Sequence, residues 1–278
     1  MRKTWFITGA TRGFGVEIAK AAMQAGNRVV ATGREPGQLQ QQLGTDGDQL
    51  LSVKLDVSDA VQTRSAVGQA VDRFGGIDVL VNNAGYGHLG YFEENSLADV
   101  RQQFETNVFG LFNVTWAALP VMRQARKGLI YNISSVAGIR GNEFGSLYSA
   151  SKFAVEGFSE SLAQELAPFG INVTLVEPGP FRTDFLSRES LKFGRTPIAD
   201  YDARRAQVQA AFEDRNGKQA GDPRKLAAAL VRLSNEPKPP LHFAAGAFAV
   251  HTARAKFQAM LAELEAWQQV SIDTDFSP

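Results

Sequence analysis

Six short apolar runs, at 4–8, 28–32, 50–55, 77–82, 129–133 and 172–176, punctuate this chain, and they mostly lack any alternation of polar and apolar residues. Strands with one wet face alternate; strands buried on both faces do not, and burial of that kind belongs to parallel sheets covered by helices. Helical patterns fill the intervals, near 14–25, 59–74, 97–123 and 147–168, and in the last of these Phe158, Leu162, Leu166 and Phe169 continue one apolar face. Strand, helix, strand repeated in this way predicts an α/β fold with a doubly wound parallel sheet, Rossmann-like in type. With 278 residues the chain is long enough for two small domains, but no linker, repeat or low-complexity run divides it, so one domain over 1–278 is expected.

The least regular stretch, about 178–221, is rich in Pro, Gly and Arg. A long irregular segment inside a compact domain reads as a substrate lid, placed here at about 184–217. A helix near 222–235 follows, with Asp222 as N-cap and Pro223 at the first helical position, then a short strand near 241–245. An amphipathic helix near 250–268 belongs to a C-terminal helical extension over about 247–278.

Bulk chemistry removes several function classes. Basic and acidic residues balance, 29 against 29, so there is no general electrostatic reason to expect nucleic acid or an anionic membrane as partner. The absence of cysteine excludes disulfides, thiolate-zinc dehydrogenases and thiol nucleophiles. The apolar stretch after Arg2 and Lys3 is too short for a signal-peptide core, and no apolar run reaches the length of a membrane span, so a cytoplasmic protein is expected. His88, His242 and His251 are scattered without metal-ligand spacing, and no metal is expected.

Directly after the first strand stand Gly9, Ala10, Thr11, Arg12, Gly13, Phe14 and Gly15, leading into a helix. Glycines there let the backbone turn sharply and approach a pyrophosphate, which the unpaired N–H groups and positive end of the helix then favour. The second strand ends in Thr32, Gly33 and Arg34, where NAD-using sites of this kind usually place a carboxylate on the ribose. Arg34 and Arg12 instead suit the 2′-phosphate of NADP(H), and an aspartate at position 33 is expected to shift preference toward NADH.

Tyr148 and Lys152 are four residues apart, on one face of a helix. A phenol titrating near 10 needs a nearby positive charge to exchange protons around neutrality, and Lys152 is placed to supply it. Ser135 stands thirteen residues before Tyr148, at the carboxyl end of a strand, where open α/β sheets bind ligands. Its hydroxyl is suited to a carbonyl oxygen that Tyr148 also approaches.

These motifs, with Asn82-Asn83-Ala84-Gly85, Asn107 and Pro178-Gly179, come in the order and spacing of a known family: over about residues 3–183 the chain resembles the short-chain dehydrogenase/reductases, most closely the group related to 17β-hydroxysteroid and retinol dehydrogenases. The resemblance implies a Ser-Tyr-Lys-Asn set, with Tyr148 as acid/base, Ser135 orienting the substrate oxygen, Lys152 binding the nicotinamide ribose and lowering the Tyr148 pKa, and Asn107 holding a relay water. It implies that Asp56 and Val57 bracket the adenine, that Asn83, Ala84 and Gly85 support the cofactor edge, and that the segment Pro178, Gly179, Phe181, Thr183 holds the carboxamide. The expected activity is hydride transfer between NADP(H) and a small-molecule carbonyl or secondary alcohol, by a homodimer or homotetramer. A 3-oxoacyl thioester reductase and a non-catalytic NADP-sensing module are the alternatives. Val136, Ile139, Phe144, Phe181, Phe185, Leu186 and Phe193 are the expected pocket wall and point to an apolar substrate, while Glu143 and Arg182 leave polar ones open.

Overall fold

The structure, a computed structural model, describes residues 2–186 and 191–276. Its strands in chain order are β1 (Thr4–Ile7), β2 (Arg28–Gly33), β3 (Leu50–Lys54), β4 (Val79–Asn82), β5 (Gly87–Leu89), β6 (Gly128–Ile133), β7 (Ile171–Pro178), β8 (Leu191–Phe193) and β9 (His242–Ala245). The α-helices are α1 (Gly13–Gln24), α2 (Pro36–Leu43), α3 (Ala60–Phe74), α4 (Leu97–Phe104), α5 (Gly110–Ala125), α6 (Val136–Ile139), α7 (Ser146–Leu166), α8 (Asp202–Arg215), α9 (Pro223–Leu233) and α10 (Ala247–Ile272).

Among the described residues, seven strands form one parallel sheet in the order β3-β2-β1-β4-β6-β7-β9. The strand order reverses between β1 and β4, which opens a crevice at their carboxyl ends. Alternate residues of each strand feed two cores. Trp5 and Ile7 of β1 pack with α1, α2 and α9, whereas Phe6 faces the layer of α3, α5 and α7. Both faces are therefore apolar, which accounts for the missing period-two pattern in the sequence.

Local chemistry sets the helix ends. Asp59 accepts from the amides of Val61 and Gln62 at the start of α3, and Asp222 accepts from that of Arg224 beside Pro223 at the start of α9, as the sequence predicts. One buried polar chain crosses the second layer. Asn82 Nδ2 donates to Thr115 Oγ1 and Asn132 Oδ1, and Asn132 Nδ2 donates to Ser159 Oγ, so β4, β6, α5 and α7 are tied together close to the crevice.

Three stretches differ from the sequence reading. The helix expected over 97–123 is α4 and α5 separated by a π-turn at Glu105–Phe109, inside which Asn107 lies. The segment expected to be irregular contains α8, whose sequence carries few apolar residues and so shows little periodicity; residues 187–190 of that segment lie outside the described residues. The chain also pairs β8 with β5 as a separate two-stranded parallel sheet, Gly87 opposite Leu191 and Leu89 opposite Phe193. Runs of three residues are too short to carry a strand signal.

Candidate active site

A cleft of about 940 Å³ lies along the carboxyl edge of the sheet. Of the residues singled out from sequence, Gly9, Thr11, Arg12, Gly13, Phe14, Arg34, Asp56, Val57, Asn83, Ala84, Gly85, Ser135, Tyr148, Lys152, Pro178, Gly179, Phe181 and Thr183 all line it. Gly15 and Asn107 do not, and their contributions are made from behind its wall.

Gly9 has φ +63, and a Cβ on it would come 2.9 Å from the Cα of Ala84. A Cβ at Gly15 would lie 2.3 Å from the Gly9 carbonyl oxygen, so Gly15 serves the close approach of α1 to the turn. Asn83 fastens the turn from the other side of the crevice. Its Nδ2 donates to the carbonyls of Thr8 and Gly9 at 2.9 and 3.0 Å, and its amide donates to Thr8 Oγ1. Helix α1 begins without a side-chain cap and without an acidic residue in its first turn, so N–H donors and the positive dipole end face the cleft. A dinucleotide pyrophosphate fits this cradle.

At the rim, Arg34 is exposed at the end of β2 and Arg12 leads into α1. A Cβ on Gly33 would meet Thr11 Cγ2 at 2.6 Å, so an aspartate at position 33 requires the Thr11 side chain to turn aside. Asp56 turns one carboxylate oxygen back onto the amide and hydroxyl of Ser58, which shapes the wall beside Val57.

Ser135 is the N-cap of α6, its Oγ accepting from the Ala137 amide at 3.1 Å. Tyr148 and Lys152 lie one turn apart on α7, with Lys152 Nζ 5.7 Å from the Tyr148 ring centre. Burial pushes the Tyr148 phenol up to about 12, and the neighbouring Ser135 hydroxyl works in the opposite direction. Burial also pulls Lys152 down to about 8, against the attraction of Glu156. Lys152 donates to the Ile133 carbonyl at 2.7 Å. Desolvation is the largest influence on both groups, each being shifted toward its neutral form. The Asn107 side chain is fully engaged, with Oδ1 accepting from the Tyr86 amide and Nδ2 donating to the Tyr86 carbonyl and to Ser151 Oγ.

On the substrate side the expected wall is partly corrected. Val136, Phe181, Phe185 and Leu186 line the cleft, but Ile139, Phe144 and Phe193 do not; Phe144 and Phe193 pack behind it with Leu89 and Leu191. Val208 and Phe212 of α8 and Phe248 and Thr252 of α10 complete the lining. Sequence reasoning missed them because they come from elements far along the chain, although a helix following β9 must start at the ligand-binding edge. Glu143 is bound by Arg204 at 2.7 Å and by the Tyr91 hydroxyl at 2.9 Å, which holds its carboxyl down at about 2, and Arg182 donates to the Gln219 carbonyl. Neither charge is left unpartnered.

A further group carries no motif in the sequence. Glu156, one turn after Lys152, is buried, accepts a hydrogen bond from Ser134, and lies 3.8 Å from His242 Nδ1, which is 2.7 Å from the buried Glu177. Glu156, Glu177 and His242 lie close enough together for metal ligation, in contrast to the sequence reading of His242, and here His242 is hydrogen-bonded to Glu177. The i, i+4 spacing from Lys152 is the signal that would have pointed to Glu156. Burial raises its pKa to about 7 from 4.5. The folded chain therefore holds this proton more tightly than the unfolded chain, and the stability gained is complete below the unfolded value and lost as pH rises toward 7. Glu156→Gln is neutral at every pH and should gain up to about 3 kcal/mol relative to the parent above neutrality, with little gain in acid. Denaturant unfolding at about pH 5 and about pH 8 measures this, and a difference that does not grow with pH contradicts it.

Comparison with known proteins agrees with this geometry. The family model described as short chain dehydrogenase matches residues 3–192. The chain is 37% identical over 273 residues to Oxidoreductase BOA17 of Botryotinia fuckeliana, covering 98% of this chain and 99% of that protein. It is 39% identical over 242 residues to 3-ketodihydrosphingosine reductase of Bacteroides thetaiotaomicron, with 86% of each covered, and 37% identical over 250 residues to Retinol dehydrogenase 8 of Bos taurus, with 86% and 80% covered. A crystal structure of a short-chain dehydrogenase from Streptomyces avermitilis superposes with a TM-score of 0.89 at 39% identity, covering 99% of this chain and 100% of that one. ElxO with NADP bound matches at 0.72 and 27% identity over 87% and 96% of the chains, and a Burkholderia phymatum short chain dehydrogenase/reductase in complex with NAD at 0.76 and 25% over 100% and 97%. By sequence and by fold, this chain belongs to the short-chain dehydrogenase/reductase family and is an oxidoreductase built around a nicotinamide-dinucleotide site.

Proposed function

We propose that this protein transfers hydride between NADP(H) and the carbonyl or secondary alcohol of an apolar small molecule, with Tyr148, Ser135, Lys152 and Asn107 as its working set. The observation that carries this reading is that Tyr148, Ser135 and Lys152 together line the wall of a cleft whose other end is an uncapped helix start behind a glycine turn. The nicotinamide, when bound, supplies or accepts the hydride. Tyr148, protonated at neutral pH, donates its hydroxyl proton to the substrate oxygen in reduction and recovers it in oxidation. Ser135 donates to the same oxygen and stabilises the charge developing on it. Lys152 presents a buried ammonium one turn below. The Asn107 side chain is spent on Tyr86 and Ser151, so a relay water would be held by its main chain; the π-turn disturbs the helical ladder there. Residues about 184–217 act as the lid.

Tyr148→Phe is expected to lower turnover by about 10²–10⁴-fold while leaving NADPH affinity within a few-fold, because the hydroxyl moves a proton and does not hold the dinucleotide. Stopped-flow binding beside steady-state turnover separates the two, and a variant turning over within tenfold of the parent would remove Tyr148 from this role.

Arg34 and Arg12 support NADP(H) over NAD(H), since no carboxylate at the end of β2 opposes a 2′-phosphate. Arg34→Ala should weaken NADPH binding by roughly ten- to a hundredfold, the loss of a charge-assisted contact of about 1.5–3 kcal/mol, with NADH binding nearly unchanged. Equal dissociation constants for both dinucleotides in the parent protein, by fluorescence titration, would overturn the assignment.

Apolar walls from Phe185, Leu186, Val208 and Phe212, with Glu143 and Arg182 already partnered, support a medium-sized or large apolar ketone or alcohol. Each Å² of apolar ligand surface buried contributes about 25 cal/mol. Across a ketone series of increasing apolar size, kcat/KM is expected to rise and to exceed that for an acetoacetyl thioester or simple sugars. A clear advantage for either polar class refutes this.

A further inference from the structure

Helix α10 leaves the body of the protein. Ala249 and Thr252 near its start are buried, but from Phe257 onward every described residue is exposed. At 1.5 Å per residue its 26 residues reach about 39 Å, most of it in solvent. That projecting part is not polar: Phe257, Met260, Leu261, Leu264 and Trp267 are each between 49% and 65% exposed. Helices in proteins draw most of their stability from packing an apolar face, and a contiguous exposed apolar stripe of this kind marks an interaction surface.

The spacing says what kind of surface. Val250, Ala253, Phe257, Met260, Leu264 and Trp267 alternate steps of three and four, the a and d positions of a heptad seam, which another helix of matching seam fills. The charges say which helix, and in which direction. Arg254 and Lys256 stand near the root; Glu263, Glu265, Asp273 and Asp275 stand toward the tip, with no basic residue beyond Lys256 in α10. Two copies side by side in parallel would set like charge on like. Two copies in antiparallel set root on tip, and the register that faces Phe257 with Met260 of the second copy also faces Lys256 with its Glu263, twice by the two-fold symmetry. The acidic tip argues against the alternative occupant, a lipid surface, because membrane-lying helices carry Lys and Arg on their polar face and anionic headgroups repel carboxylates.

We propose that α10 pairs antiparallel with α10 of a second copy of this chain, through the seam from Val250 to Trp267 and the reciprocal Lys256–Glu263 contact. The chain has no cysteine, so a single cysteine introduced into the full-length protein at Gln258 or at Gln269 carries a spin label without competition. Antiparallel pairing about a two-fold axis near residue 258 gives a short label–label distance at 258 and one longer by roughly 20–30 Å at 269. Equal distances at both positions, or no short distance at 258, overturn the proposal. Sedimentation supplies a second measurement. Exposed Phe109, Trp116 and Phe153 belong to the π-turn, α5 and α7 and not to α10, so the reading is the loss of one association step. Leu264→Glu should remove that step, Lys256→Glu should weaken it several-fold, and Lys256→Glu with Glu263→Lys should restore it. An unchanged assembly in Leu264→Glu, or a protein that instead binds neutral phosphatidylcholine vesicles through α10, refutes the pairing.

Discussion

All strands of the main sheet run in one direction, so their carboxyl ends share one edge, and the cleft that gathers most of the candidate site lies along it. The reversal of strand order between β1 and β4 splits the edge into two lips. Two side chains fasten them beyond the β1–β4 ladder: Asn83, just after β4, gives both hydrogens of its amide to the carbonyls of Thr8 and Gly9, and Thr8 Oγ1 accepts from the amides of Asn83 and Ala84. Those contacts, with the lack of room for any side chain at Gly15, fix where α1 begins and therefore where its uncapped N–H groups point. The rest of the cleft is arranged around a corner of backbone N–H groups that these side chains hold in place.

The second demand on the fold is to keep ionisable groups dry without leaving them unpaired. Lys152 and Glu156 are both buried on the same face of α7, and each is shifted toward its neutral form by that burial. Their partners divide the work. Lys152 is held by the Ile133 carbonyl at the end of β6, while Glu156 receives the Ser134 hydroxyl from the next residue along. The loop carrying Ser135 is thus fastened to α7 at two successive residues, and Ser135 itself is turned inward by capping α6. The same two groups that are costly to bury aim the serine at the tyrosine.

Much of this is legible in the sequence because it depends on backbone requirements that only certain residues meet. The glycine turn, the end of β6 at Ser135, and the Tyr148–Lys152 spacing are local patterns, and the structure brings them into one cleft. The features that stay hidden depend on distant contacts. The β5–β8 pair is two three-residue segments about a hundred residues apart, α8 lacks an apolar stripe because it covers a cleft instead of a core, and Phe144 has the character of a pocket wall yet packs behind it. Gly33 illustrates the limit most directly. Its position at the end of β2 is plain from the sequence, but only the 2.6 Å approach of Thr11 shows that a side chain there requires Thr11 to move.

The π-turn at Glu105–Phe109 brings these themes together. A short parallel pair such as β5–β8 leaves backbone groups of its approach segment without ladder partners, and buried groups of that kind must be satisfied somehow. Gln103 and Asn107, both buried, do this: Gln103 accepts from the His88 amide and donates to the Tyr86 carbonyl, and Asn107 bonds both backbone groups of Tyr86. In a regular α-helix, residues four apart stack along one face; the extra residue of the π-turn rotates the helix beyond it, so α5 meets β4 and β6 while Asn107 keeps facing Tyr86. The remaining hydrogen of Asn107 goes to Ser151, whose own hydroxyl donates to the Tyr148 carbonyl. One irregular turn therefore joins the segment leading into β5 to the helix that carries the tyrosine, through a side chain that does not itself line the cleft.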